Sequence, residues 1–159
     1  WFGAAWGTVS DPLVATALQL TALWAWHAPA LFDLALAASG WHIAQHVSFV
    51  ATALLFWNAV LDARLVRART ITAVACLFVT AIASGALGAL MALSSSPWYA
   101  GYTALGMTPF GLSPAQDQQL AGLLMWVPGG LVHVLAAVVL LGRWLGERGV
   151  RTVEVPGAR

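Results

Sequence analysis

The chain has 159 residues, of which 60% are hydrophobic and 8% charged, and a mean hydropathy of +0.81. A soluble domain usually carries about 25% charged residues, so an ordinary soluble domain is excluded, and a net charge of +1 leaves no footprint for nucleic acid. The single cysteine, Cys76, excludes an intrachain disulfide framework and a CxxC metal motif.

Nine tryptophans in an apolar background instead point to an all-α, polytopic transmembrane helix bundle surrounded by membrane lipid. The sequence opens on Trp1 without the basic region of a cleavable signal, and its start is expected to be internal to a longer gene product. Three regions are expected: an interfacial segment over 1–10, a transmembrane domain over 11–146 and a cytoplasmic tail over 147–159.

A spanning helix needs roughly 20 apolar residues, and about four spans are predicted. The first runs from Pro12 to about His27, with Asp11 as N-cap and proline at the first helical position. It is short, and Pro29 is expected to end or kink it, leaving "ALFDLALAAS" as a brief interfacial helix. The second span covers Trp41 to Leu61 and the third Ile71 to Leu93. In the third, Ala81, Ser84, Gly85, Gly88 and Ala89 form a small-residue face that lets a neighbouring backbone approach. The fourth begins at "LSPAQDQQL", where Ser113 and Gln116 make a capping box around Pro114. It continues to about Leu145, and Pro128, Gly129 and Gly130 predict a kink near its middle.

Arginines orient these spans. Arg64, Arg67 and Arg69 lie between the second and third, and Arg143, Arg148, Arg151 and Arg159 follow the fourth. The positive-inside rule puts both groups in the cytoplasm, as expected for a multi-pass protein with both visible ends inside. Residues 28–40 and 94–113 then face outward. Trp24, Trp26, Trp41, Trp98, Tyr99 and Tyr102 fall near the outer boundary, Trp57 and Trp144 near the inner one, as interfacial aromatic belts do.

Polar groups gather at the outer end. His27 closes the first span, His42 opens the second, and His46 lies one turn, about 6 Å, deeper on the same face. Asp117 opens the fourth span, and Met107 lies in the outer loop. Paired imidazoles suit copper or zinc, and reduced copper also accepts methionine. His27, His42, His46 and Asp117, with Met107 as a further donor, therefore form a candidate metal site. The competing reading is a set of interfacial groups bonded to Asp33, Asp117 or loop carbonyls. Asp117 reads equally as a carboxylate orienting a histidine or as a charge favouring the helix dipole. His133 lies too deep to join this cluster or to pair with His46 across a haem, and reads as a helix–helix hydrogen bond. Gln19, Gln45 and Asn58 read the same way, and Cys76 as a small buried residue. No nucleophile–base pair or phosphate loop occurs, and Ile43 stands where a zincin needs glutamate, so enzyme activity is not expected.

The segments "LWAWHAPALFDLAL", "HIAQHVSFVATALLFW" and "GLSPAQDQQLAGLLMWVPGGLVHVLAAVVLLGRWL" resemble the CtaG family of assembly factors for caa-type haem–copper cytochrome c oxidase. The resemblance covers nearly all of residues 10–146. Its most specific part is Asp117 to Gln119 followed by Met125 to Gly130, supported by Trp26 to Pro29 and by His42 and His46. It implies maturation of the oxidase, through copper delivery to its binuclear centre. It places the family's motif histidines at His27, His42 and His46 and its acidic position at Asp117. It also implies a longer chain with further upstream spans. The alternative from a different class is a non-catalytic accessory subunit packed on a respiratory or photosynthetic membrane complex.

Overall fold

The computed structural model describes residues 2–106 and 110–153 and is all-helical over them. Seven helices follow in chain order: α1 (Phe2–Val9), α2 (Pro12–His27), α3 (Pro29–Ala37), α4 (Ser39–Leu61), α5 (Ala63–Leu93), α6 (Ala100–Ala104) and α7 (Pro114–Val153). Three stretches, Ser39–Leu61, Arg69–Leu93 and Pro114–Arg148, are long and apolar enough to cross a membrane; α2 and α3 make a fourth if taken as one broken span.

The local signals act where the sequence places them. The Asp11 carboxylate accepts from the Leu13 N–H at 3.0 Å and caps α2. The same side chain meets Arg69 at 2.6 Å, tying the start of α2 to the start of the third span. Ala28 is extended (φ −66°, ψ 131°), the conformation that a following proline imposes. It turns the chain by 73° into α3, the short helix expected after Pro29. Ser113 and Gln116 bond reciprocally, Ser113 N–H to Gln116 Oε1 at 2.9 Å and Gln116 N–H to Ser113 Oγ at 3.3 Å.

Two boundaries differ from the sequence expectation. Helix α5 starts at Ala63, within the expected arginine loop, and its geometry breaks at Arg69 (φ −136°, ψ 33°); the side chains of Arg64 and Arg67 lie outside the described residues. Helix α7 continues past Leu145 to Val153. Its extension is supported by an i, i+4 contact in which the Arg148 guanidinium sits 4.0 Å above the Trp144 ring. Pro128 lies inside α7 without ending it.

Helix α5 is the centre of the bundle. Buried positions make up 44% of its apolar window, against 17% for α4 and 6% for α7, and its most extensive contact is with α7. That contact is made by glycine. A Cβ on Gly88 would lie 2.8 Å from the Gly122 carbonyl oxygen, and one on Gly122 would lie 2.6 Å from the Ala92 nitrogen. Without hydrophobic drive between helices in lipid, such backbone proximity is how spans gain packing energy. Toward the end of α4 and the start of the third span, Phe56 and Val60 of α4 pack with Ala73, Cys76 and Leu77 of α5 and Leu140 of α7. Cys76 is buried and donates to the Pro12 carbonyl at 3.5 Å. Inside the bundle Gln19 Oε1 and Thr80 Oγ1 are buried without a partner among the described residues, so the interhelical bond expected of Gln19 Oε1 does not form. Gln45 is buried and Asn58 exposed.

Gly122→Ala should destabilise the protein by about 1–3 kcal/mol through overpacking. Gly129→Ala, where nothing lies within 4 Å of the added methyl, should be neutral or stabilising by up to about 1 kcal/mol. Thermal unfolding of both variants in detergent measures the contrast. The Leu13 amide and Arg69 hold the Asp11 carboxyl below its ordinary value. Its stabilisation is therefore complete above the unfolded carboxyl pKa and is lost as pH falls through the folded one. An Arg69→Gln variant should show a weaker acid destabilisation than wild type in the same unfolding assay.

Candidate functional site

The end of the bundle at which α7 begins is assembled by three consecutive polar residues near its start. The Asp117 carboxylate accepts from the Tyr102 hydroxyl at 2.6 Å. Gln118, almost fully buried, accepts the Trp98 N–H at 2.7 Å and donates to the Ser96 carbonyl at 3.3 Å. Gln119 donates to the Ser94 carbonyl at 2.9 Å. The second turn of α7 thus satisfies the backbone that leaves α5, where an unpaired buried amide would cost about 1–3 kcal/mol.

The next layer ties this loop to α2 and α3. Tyr99 stacks on Phe32 with ring centres 3.8 Å apart, and its hydroxyl donates to the His27 carbonyl at 3.3 Å. Asp33 accepts the Gly101 N–H at 3.1 Å. Across the bend, Trp26 Nε1 donates to Ser48 Oγ at 2.7 Å and its ring meets Trp41 edge-on, fixing the C-terminal end of α2 against α4. Burial, with the Asp33 charge beside it, pushes the Tyr99 hydroxyl up to about 12, and the bond to Asp117 raises that of Tyr102.

The histidines divide into three environments. His42 and His46 lie one turn apart on an exposed face of α4, with ring centres 4.3 Å apart. His46 Nδ1 bonds the His42 carbonyl at 3.0 Å. A carbonyl only accepts, so the proton sits on Nδ1 and the Nε2 lone pair is free. His27 is half-buried at the end of α2; its Nδ1 donates to the Leu23 carbonyl at 2.7 Å and its ring lies 6.3 Å from Phe49. His133 donates from Nδ1 to the Gly129 carbonyl at 2.8 Å and packs between Phe56 and Trp57 of α4. The helix–helix hydrogen bond expected of His133 is therefore a bond within α7, and its contact with α4 is through the rings.

Of the sequence-predicted ligands, the structure brings His42 and His46 together. Among the described residues no three of histidine, cysteine, aspartate and glutamate converge closely enough to hold a metal ion. Asp117 orients a tyrosine rather than an imidazole. Met107 lies outside the described residues. Sequence reasoning assigned Tyr99 and Tyr102 only to an aromatic belt and missed their hydrogen bonds. The available signal was two isolated carboxylates, Asp33 and Asp117, in an apolar chain that must give each a donor.

A protein-family model described as cytochrome c oxidase caa3 assembly factor (Caa3_CtaG) matches residues 2–147. The chain belongs to this family. The match spans α1 to the end of the apolar part of α7, so the caa3 assembly-factor family accounts for the whole bundle and not for one motif. Comparison with curated proteins and with solved structures gives no match. The Asp-Gln-Gln stretch that carried the resemblance is, in this member of the family, the staple between α7 and the segment that follows α5.

The chain has two tyrosines, and both should resist ionisation at pH 10. In an ultraviolet titration Asp117→Asn should bring the Tyr102 midpoint down and leave Tyr99 near 12. Gln118→Leu should cost about 1–3 kcal/mol and speed proteolysis within residues 94–106.

Proposed function

We propose that this chain is a non-catalytic membrane factor that assists assembly of caa3-type cytochrome c oxidase by holding copper transiently at its outer end. The family membership supports the assembly role. The exposed His42 and His46 imidazoles, 4.3 Å apart on one helix face, are the observation that carries the copper reading. Metal–imidazole bonds of about 2.0–2.1 Å let one ion reach two rings at that separation, and paired neutral imidazoles suit copper. Two protein ligands leave coordination positions open, as cargo that must be passed on requires. His27, with its Nε2 lone pair also free, is a receiving or relaying ligand rather than a member of the pair.

The charge pattern supports an orientation in a bacterial plasma membrane with Arg69, Arg143 and Arg148 on the cytoplasmic side. The Asp11–Arg69 ion pair accords with it, because it puts the starts of α2 and of the third span on one side. The histidine pair then opens to the periplasm.

Elemental analysis of the purified, copper-loaded protein tests the reading. Wild type should carry stoichiometric copper, and His42→Ala/His46→Ala should lose at least about tenfold in affinity, within the range of losing metal ligands or their supports. The double variant should also fail to restore oxidase copper content in cells lacking the factor. Equal copper in both proteins sinks the reading, and fixed-ratio co-purification with a membrane complex in the absence of copper supports an accessory subunit instead.

A further inference from the structure

We propose that the His42–His46 pair takes copper as the cupric ion, and that helix α4 makes this choice by fixing the angle at which the two imidazoles meet a metal. The inference rests on the copper-handling reading and adds to it the oxidation state of the cargo.

The ring centres of His42 and His46 stand 4.3 Å apart, with their planes at 39°. That separation sets an angle. A metal bonds an imidazole nitrogen at about 2.0–2.1 Å, and with about 1.2 Å from nitrogen to ring centre each centre stands about 3.2 Å from the ion. Two rings at a right angle about one ion then have centres about 4.5 Å apart, a tetrahedral pair about 5.2 Å and a linear pair about 6.4 Å. The observed spacing is that of the right angle. Square-planar and tetragonal nitrogen sites belong to Cu(II) and Ni(II), and of these two Cu(II) binds more tightly. Zinc takes tetrahedral sites. Reduced copper, with its filled d shell, takes linear, trigonal or tetrahedral surroundings, none of which has a right angle between donors.

Rotation of the exposed rings does not open the wider angles, because the backbone limits them. Side chains four residues apart on a helix have Cβ atoms about 5–6 Å apart, and α4 is continuous from Ser39 to Leu61. With Nε2 of both rings as donors, a right-angled pair closes with Cβ atoms about 5.5 Å apart, whereas a tetrahedral pair needs about 7 Å and a linear pair about 11 Å. His46 is held further: its Nδ1 bonds the His42 carbonyl at 3.0 Å, which leaves Nε2 as its donor. The angle belongs to this one stretch of α4. Donors arriving from any other segment add corners to the coordination shell without widening this one, so the preference for Cu(II) holds whatever completes the site.

The protein in nanodiscs, titrated with Cu(II) sulfate in air and with Cu(I) under ascorbate and a competing Cu(I) chelator, tests this. Wild type should bind Cu(II) with a tetragonal paramagnetic resonance spectrum coupled to nitrogen. The His42→Ala/His46→Ala variant should lose that coupling, and its affinity for Cu(II) should fall by at least about tenfold more than its affinity for Cu(I). Both side chains are exposed, so the variant keeps its fold, which circular dichroism checks. A smaller difference between the two oxidation states, with either one still dependent on the pair, overturns the cupric assignment and leaves copper holding intact. If neither state depends on the pair, both readings fall.

Discussion

The contact of Gly88 with Gly122 sets the height at which α7 stands against α5, and the half of the molecule around the α5–α7 connection follows from it. With side chains at these positions the backbones could not approach, since an added Cβ on either glycine meets backbone atoms below 3 Å. One turn above Gly122, Gln118 and Gln119 come level with the chain leaving α5 and bond its carbonyls and amide. Asp117 then holds Tyr102, and Tyr99 on the same short loop reaches the His27 carbonyl. A sequence of contacts thus runs from a glycine pair inside the bundle to the end of α2. Each step satisfies a polar group that lipid could not.

Much of this was legible in the sequence where local chemistry decides the outcome. The Asp11 cap, the Ser113–Gln116 box and the break at Pro29 are each settled within a few residues, and all form as expected. The small residues of α5 likewise announced a close helix contact, and α7 fills it. What the sequence could not supply were pairings between segments distant along the chain: Tyr99 with Phe32 and His27, Tyr102 with Asp117, Gln118 with Trp98. An apolar chain offers few donors, so its carboxylates had to find partners, but their identity depended on how the helices stack. Helix α7 runs to Val153, beyond the expected end at about Leu145, where the Trp144–Arg148 contact and the lack of proline before Pro156 let the helix continue.

The histidines illustrate the same division. Spacing alone put His42 and His46 on one face, and the structure keeps them there. Height alone suggested that His27 and Asp117 might join them, and height is a weak constraint: residues at one depth can lie on different sides of a bundle. His27, His46 and His133 share a further trait that spacing did not reveal. Each ties Nδ1 to the carbonyl four residues back, so the helix itself fixes the tautomer and presents the same nitrogen outward.

The shortness of α2 has a bearing on the surrounding bilayer. Its 16 residues rise about 24 Å at roughly 1.5 Å each, less than the hydrocarbon thickness of about 30 Å, and α3 leaves it at a steep angle instead of prolonging it. A bilayer that matched α2 alone would have to thin around it, at a modest elastic cost; the bend at Ala28 instead lays α3 across the end of α2, beside Trp26 and His27 and ahead of α4.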